Sequence, residues 1–276
     1  MRIQKIINNN VVSALDGEGR EIVAMGRGIG FQKKAGQELS EEAVEKVFRL
    51  ESPVLLERFK ELLANMPLEC AQVSDAIISY ARERLPLRLN QNVYLTLTDH
   101  IDFALKRHAQ GMLFENALYR EIKRFYPEEF EIGLYALDLI AERTGVRLPA
   151  DEAASIAFHL VNGEFGGMKL RDTQVMTELI RHLMELVGVE HSLPEDSIQA
   201  DRLASNLKFM LSRLLQGKPV AAEPDETFNT FVRGHCRREY ELAGKMKDYI
   251  TSVTECIMTE EEVIYMTLQL KYAVQA

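Results

Sequence analysis

The chain contains no tryptophan, only three cysteines among its 276 residues, and no long apolar run. Cys70, Cys236 and Cys256 lie far apart and form no CxxC pair, which argues against a disulfide framework and indicates buried thiols in a reducing compartment. Because no apolar run approaches ~18 residues, we expect no helix that spans a membrane. No apolar stretch follows Arg2 and Lys5 as it would in a signal peptide, so we expect a cytoplasmic protein.

Charge is distributed unevenly along the chain. Residues 1–34 contain six Lys/Arg and three Asp/Glu, a net charge of +3, whereas the whole chain has a net charge of −9. The remainder of the chain therefore carries −12, which argues against binding of a polyanion by the molecule as a whole. A basic segment on an acidic body predicts a nucleic-acid-binding head and a body that contacts proteins.

The basic head has the pattern of short β-strands. Ile3–Ile7 alternates, Val11–Leu15 is apolar and β-branched, and Glu21–Met25 follows the turn Asp16–Gly19, which together indicate a hairpin. We expect four strands of roughly 4–6 residues, a sheet so small that it needs a partner, most simply a second copy of itself.

After Lys34 the pattern changes from strand to helix. Ser40-Glu41-Glu42 indicates either a short helix or an extended arm, and Ser52-Pro53 marks the end of the head. From Val54 onward, apolar residues recur with the period of a helix. The sequence therefore predicts a small all-β antiparallel sheet followed by all-α bundles.

The helical part of the chain repeats itself. The matched segments, at offsets of 106 and 110 residues, are Leu97–Phe103 with Leu203–Phe209, Arg107 with Arg213, Phe130–Ile132 with Tyr240–Leu242, and Asp151–Ala153 with Glu261–Val263. A period of this length indicates two tandem domains of about 100 residues rather than a solenoid. We place their junction near Gly166-Gly167, where two glycines interrupt the helical pattern.

Two histidines of the first copy are replaced by amides in the second. His100 and His159 correspond to Asn206 and Gln269. An amide can make the hydrogen bonds of a neutral imidazole, but it lacks the nucleophilic ring nitrogen that forms phosphohistidine. If the histidines are chemical switches, only the first copy can switch.

Other roles for His100 and His159 remain open at this point. Both could be structural histidines on helix faces, or they could join Asp99 or Glu152 around zinc. The sequence contains no HxxxH or HxxE pair at ligand spacing, so we predict no metal and no cofactor. The doublet Asp99-His100 is the reverse of the His-Asp pair of helical phosphohydrolases, which makes that function a remote alternative.

Gly26, Gly28 and Gly30 precede Phe31 and a poor helix start, so they do not fit a dinucleotide-binding loop. Such glycines let a backbone approach a neighbouring group closely. The guanidinium of Arg27 would then lie on a tight loop, and the ring of Phe31 would offer a surface on which an unstacked RNA base can stack. The alternative is that Phe31 belongs to the core of the sheet.

The motifs resemble those of the BglG/SacY-type transcriptional antiterminators. Lys5–Val11 and Met25–Lys34 resemble the co-antiterminator RNA-binding domain, and the duplicated helical region, with Leu97–His100, resembles two phosphotransferase-system regulation domains. The resemblance implies three domains, at residues 1–56, 57–168 and 169–276. It also implies a homodimer, paired through the sheets, that binds a leader-RNA hairpin and blocks an intrinsic terminator.

The resemblance also implies roles for individual residues. The positions that match RNA contacts are Asn10, Gly26, Arg27 and Phe31, with Lys5, Asn8 and Gln32 as further candidates. His100 and His159 match the positions in the first domain that accept phosphoryl groups from a sugar-specific permease, with Asp99 as a regulatory neighbour.

The second copy departs from the family pattern. The general carrier HPr usually acts on the second domain, but its two acceptor positions are here Asn206 and Gln269. The usual activating input therefore has no acceptor.

Two alternative functions can be compared with this prediction. A DNA-binding activator with the same regulation domains needs a helix-turn-helix, and residues 1–34 do not have a helical pattern. An enzyme is the third possibility, but accepting a phosphoryl group is not turnover. We therefore predict a regulator and not an enzyme.

Overall fold

The computed structural model describes residues 1–86, 88–112, 114–164, 170–191, 193–219 and 225–274. The chain begins with a four-stranded antiparallel sheet whose strands lie in sequence order. The strands are β1 (Arg2–Asn8), β2 (Val11–Leu15), β3 (Glu21–Met25) and β4 (Lys46–Phe48).

The sheet confirms the hairpin prediction and adds a strand that the sequence pattern did not locate. β4 pairs with β3 through Val23 and Phe48, whereas Glu41–Ala43 forms a single 3₁₀ turn. A three-residue strand is too short to show alternation, so its position depends on pairing with β3.

Both faces of the sheet are covered by the same chain. On one face, Ile3, Val12 and Ala24 pack with Ile29 and Leu39. The expectation that the sheet also pairs with a second copy of itself stays a prediction.

On the other face, Val23, Met25 and Phe48 share a core with the first helix. This helix, α1 (Pro53–Ala64), begins at the predicted end of the head, with the Ser52 side chain accepting a hydrogen bond from the Leu55 N–H.

The remainder of the described chain is helical, which confirms the predicted fold class. After α1 come α2 (Leu68–Arg84), α3 (Asn92–Ala109), α4 (Tyr119–Phe125), α5 (Pro127–Thr144), α6 (Asp151–Glu164), α7 (Leu170–His191), α8 (Ile198–Leu215), α9 (Glu226–His235), α10 (Arg237–Thr254) and α11 (Glu260–Val274). None of the described helices has the length and apolar character needed to cross a membrane.

The helices belong to two compact units. One unit contains the sheet with α1, α2, α3, α5 and α6, and the other contains residues 120–126 with α7 to α11. In the second unit, the Tyr126 hydroxyl lies 3.1 Å from that of Thr177, and Arg124 forms an ion pair with Glu195 at 3.0 Å. The limits 57–168 and 169–276 stay predictions, and the proposed junction at Gly166-Gly167 lies outside the described residues.

The duplication predicted from the sequence is visible in the order of helices. α3, α5 and α6 carry the first copies of the repeated segments, and α8, α10 and α11 carry the second. Cys70 and Cys236 are buried free thiols, as expected, and Cys256 is half-buried. Burial raises the pKa of the Cys70 thiol to about 12.

Within the first unit, α5 and α6 approach so closely that one position tolerates only glycine. A Cβ atom at Gly133 of α5 would overlap the Ala153 carbonyl oxygen of α6. We therefore expect Gly133→Ala to destabilise the first unit by about 1–3 kcal/mol, because backbone cannot yield as a flexible side chain can.

Gly244 of α10 is the matched control, because a Cβ atom there would meet open space. Gly244→Ala should stabilise its helix by about 0.5–1 kcal/mol. Urea unfolding followed by far-UV circular dichroism measures both changes. An unchanged midpoint for Gly133→Ala would contradict the close packing of α5 on α6.

Candidate functional site

The loop after β3 is held tightly against the rest of the head. A Cβ atom at Gly26 would overlap the Ala43 carbonyl oxygen, and one at Gly30 would overlap the Asn8 carbonyl oxygen. Gly28 has φ of +72°, a backbone conformation that side chains disfavour. The three glycines are therefore needed for the path of this loop.

Two asparagines, Asn8 at the end of β1 and Asn10 in the β1–β2 turn, fix the position of the same loop. The Asn10 Oδ1 accepts a hydrogen bond from the Gly28 N–H at 2.8 Å. The Asn8 Oδ1 accepts one from the Asn10 N–H, and the Asn8 Nδ2 donates one to the Leu63 carbonyl of α1. Both the oxygen and the nitrogen of the Asn8 amide thus make hydrogen bonds within the protein. Asn10 uses only its amide oxygen in this way and can offer its NH₂ group to a ligand.

The loop presents a cation and an aromatic ring to solvent. Phe31 is 59% exposed, so the alternative that its ring belongs to the core is wrong. Arg27 is also exposed, and its N–H donates to the Glu45 carboxylate at 3.1 Å, which fixes its backbone. Gln32 is exposed with φ of +55°, and Lys5 is exposed on the edge strand β1.

In the first helical copy, His100 of α3 and His159 of α6 lie side by side. Their ring centroids are 4.7 Å apart, and the His100 Nε2 lies 3.0 Å from the Glu152 Oε2. Arg107 forms an ion pair with the other oxygen of Glu152, a carboxylate that is 1% exposed. Two imidazoles, a carboxylate and a guanidinium, which we call the His100 cluster, therefore meet between α3 and α6.

The electrostatic environment keeps one of these imidazoles neutral. Burial, with a smaller effect from the neighbouring His100, places the pKa of His159 well below its ordinary value. Its Nδ1 atom is buried and, among the residues that the structure describes, has no hydrogen-bond partner. His159 thus enters the cluster as an uncharged ring with a free nitrogen.

The second copy repeats the frame of the His100 cluster with different chemistry. Arg213 forms an ion pair with the buried Glu262 at 3.3 Å, as Arg107 does with Glu152. On the same two helices, the Asn206 Nδ2 of α8 donates a hydrogen bond to the Gln269 Oε1 of α11. The second copy therefore bridges α8 and α11 through two amides that can neither titrate nor accept a phosphoryl group.

Asp99 occupies a different place from the other predicted residues of the cluster. It is exposed and lines a surface groove with Arg58, Asp102 and Lys106. The carboxylate that contacts His100 is Glu152 of α6. Asp99 does not, because adjacent residues on a helix point about 100° apart.

The sequence analysis gave Arg107 no part in the site and considered Glu152 only as a possible zinc ligand, although both recur in the second copy as Arg213 and Glu262. That recurrence was the signal that could have identified them. In the described part of the chain, no group of three or more His, Cys, Asp or Glu residues is arranged to hold a metal ion.

The geometry can be compared with known proteins. The family described as CAT RNA binding domain matches residues 1–55, and the PRD domain matches residues 75–163 and 177–273. Transcription antiterminator LicT of Bacillus subtilis (strain 168) is 40% identical over 278 residues, covering 100% of this chain and 99% of LicT. The beta-glucoside operon antiterminator of Dickeya chrysanthemi is 39% identical, covering 98% of this chain and 96% of its own.

A solved structure agrees with these matches. The crystal structure of GlcT CAT-PRDI is similar with a TM-score of 0.52 and 34% identity, and covers 59% of this chain and 97% of its own. An RNA-binding head and two helical copies define a class of RNA-binding regulators. The chain belongs to the family of transcriptional antiterminators that join a CAT RNA-binding domain to PRD domains, the BglG/SacY type.

The lowered pKa of His159 predicts that acid destabilises the first unit. Below pH ~6.5 the unfolded chain protonates this imidazole while the folded chain does not, so stability falls as pH falls. The loss should grow steadily as the pH falls below the ordinary pKa of histidine, and it should stop growing only where the folded chain also protonates His159.

His159→Gln, which copies Gln269, should flatten that dependence. Urea unfolding of both proteins at a series of pH values measures the slopes. Equal slopes for the wild-type protein and the variant would contradict the neutral, buried state of His159.

Proposed function

We propose that this antiterminator acts as a homodimer that binds an RNA hairpin in a nascent leader transcript. The bound hairpin excludes an overlapping intrinsic terminator, so that polymerase continues into sugar-uptake genes. In this proposal the protein is a regulator and catalyses no reaction.

The RNA surface is proposed to be the loop after β3 with the β1–β2 turn. Arg27 contributes a planar cation for phosphate or a base edge, and the exposed ring of Phe31 offers a stacking surface. The Asn10 NH₂ group and the backbone at Gly26 lie beside them, since Asn10 and Gly28 are hydrogen-bonded. Lys5 and Gln32 extend the surface, and Asn8 supports it from beneath.

The regulatory input is proposed to be phosphorylation of His100 or His159 by a sugar-specific permease of the phosphotransferase system, which switches the protein off. The observation that carries this proposal is the His100 cluster, in which two histidines adjoin a buried carboxylate. When His100 donates its Nε2–H to Glu152, the lone pair remains on Nδ1, the nitrogen available to a phosphoryl group.

Phosphorylation would strongly change the electrostatics of the cluster. A phosphoryl group adds roughly −1.5 to −2 charges at neutral pH. The Glu152 carboxylate lies 3.0 Å from the His100 ring. The single positive charge of Arg107 would neutralise only part of the combined negative charge of Glu152 and the phosphoryl group. Repulsion between the phosphoryl group and Glu152 would force α3 and α6 apart.

The second copy is proposed to give no phosphorylation-dependent response. Asn206 and Gln269 form a hydrogen bond where a switching copy would hold two histidines, so HPr has no acceptor at these positions. A chain of this kind would depend on the permease alone.

A DNA-binding activator is not favoured by any observation, because residues 1–55 match the RNA-binding family and contain a four-stranded sheet.

RNA binding should depend on the two exposed loop side chains. Phe31→Ala should weaken hairpin binding by about 1–3 kcal/mol if its ring stacks on a base. Arg27→Ala should lower affinity and reduce the slope of log affinity against log salt by roughly one. Gel shifts over a salt series measure both effects.

Phe209→Ala is the control for Phe31→Ala, because Phe209 is a similarly exposed ring on a helix of the second copy. It should bind RNA like the wild-type protein. Wild-type affinity in both Phe31→Ala and Arg27→Ala would contradict the assignment of this loop.

Phosphorylation should occur in the first copy only. We expect the phosphorylated permease domain to modify His100 or His159 in the full chain, and phosphorylated HPr to modify neither position 206 nor position 269. Mass spectrometry maps the modified residues. His100→Gln with His159→Gln should cause antitermination without substrate sugar, which a reporter gene downstream of the terminator measures.

His108→Gln is the matched control, because His108 is exposed on the same helix as His100 and has no histidine at the equivalent position. It should remain inducible by sugar. A double variant that the permease still represses would show that the acceptors lie elsewhere.

A further inference from the structure

One helix of the first unit reaches both the His100 cluster and the head. α3 carries Gln91 at its N-cap, Tyr94 in its first turn and His100 near its middle. At a rise of about 1.5 Å per residue, His100 lies only about 9 Å along the helix axis from Tyr94 and about 14 Å from Gln91. A displacement of α3 at the cluster therefore reaches its N-terminal end, because a hydrogen-bonded helix moves as a stiff rod.

The N-terminal end of α3 contacts the segment where the head joins α1. The Gln91 Oε1 accepts a hydrogen bond from the Glu51 N–H at 2.8 Å, and the Gln91 Nε2 donates one to the Arg49 carbonyl at 3.1 Å. One side chain thus binds both polar groups of the backbone immediately after β4. These two bonds require α3 and the end of β4 to keep one relative position.

Tyr94 makes the corresponding apolar contact. Its ring meets Phe48 of β4 edge to face at 5.4 Å and lies 6.3 Å from Phe59 of α1. The Tyr94 hydroxyl accepts a hydrogen bond from the Arg82 Nη1 at 3.0 Å, which fixes the ring. Tyr94 is therefore packed between the last strand of the head and the helix that covers the sheet.

The second copy provides an internal comparison. At the offset of 106 that relates α8 to α3, the positions of Gln91 and Tyr94 hold Ser197 and Ala200. Ser197 caps α8 and Ala200 is a small buried residue, so neither has a side chain that can reach outward. The copy that retains the histidines also carries the two long side chains that reach the head.

We propose that α3 couples the two functions of the chain, with Gln91 and Tyr94 as the positioning residues that transmit the charge state of the His100 cluster to the head. This inference rests on the proposed function. Negative charge at His100 repels Glu152 and displaces α3 from α6. Through the intact Gln91 hydrogen bonds and the contact of Tyr94 with Phe48, this displacement pulls on β4 and distorts the RNA-binding sheet.

The test uses a permanent charge instead of a phosphoryl donor, so that it does not depend on which protein phosphorylates the chain. His100→Asp places a carboxylate beside Glu152. The probe is a fluorescein-labelled RNA hairpin selected from a pool of hairpins because the wild-type chain binds it. Fluorescence anisotropy gives its affinity for each full-length variant.

We expect His100→Asp to lower RNA affinity about tenfold, within the range of roughly 5- to 150-fold typical of coupled sites. In a chain that also carries Gln91→Ala and Tyr94→Leu, the same change should lower affinity less than about threefold. Without His100→Asp, the two α3 substitutions should leave RNA affinity within about twofold of the wild-type value. Gln91→Ala alone, which removes no core side chain, should reduce the response partially.

Asp75→Asn is the matched control, because it weakens the 2.9 Å ion pair of Asp75 with Lys46, another contact of β4 with the helical body. Asp75 belongs to α2 and not to α3, so this variant should keep the full tenfold response to His100→Asp.

Three results would overturn the inference. They are an undiminished response in the Gln91/Tyr94 variants, the same loss of response in Asp75→Asn, and wild-type affinity in His100→Asp. The separate mapping of phosphorylated histidines decides whether the proposed input also fails. Modified His100 together with an undiminished response would reject the α3 route while keeping the proposed function.

Discussion

A buried carboxylate between two helices organises the His100 cluster, on which the proposed regulation depends. Glu152 is almost inaccessible to solvent and is held by Arg107, and it contacts His100 on the opposite helix. A buried charge is tolerated only when it is paired, so Arg107 and Glu152 form a fixed frame. Within this frame a change of charge on an imidazole has large consequences, because little solvent screens it.

The second copy contains the ion pair of this frame without the two histidines. Arg213 and Glu262 preserve the ion pair, whereas Asn206 and Gln269 replace the imidazoles with a hydrogen-bonded amide pair. The retention of the ion pair in a copy without histidines indicates that the frame holds the two helices together. In the proposed function, the histidines add sensitivity to charge to a frame that the second copy forms without them.

The head likewise contains some residues that support the loop and others that the loop exposes to solvent. Asn8 and the glycines at 26 and 30 shape the loop from within, and Arg27 and Phe31 project from it. α1 covers one face of the sheet, so the head and the first helical copy share a continuous core. A shared core is a physical route by which strain in one part reaches the other, and α3 lies along that route.

The sequence by itself determined the β-patterned head and the duplication of the helical part. It also determined that two amides occupy the positions in the second copy that correspond to His100 and His159. These features follow from local periodicity and internal comparison, which need no coordinates. Only the tertiary structure decided that β4 lies at Lys46–Phe48, that Phe31 is exposed, and that Glu152 rather than Asp99 contacts His100. Glu152 is 52 residues from His100 along the chain, and a contact of that range depends on how α6 packs against α3.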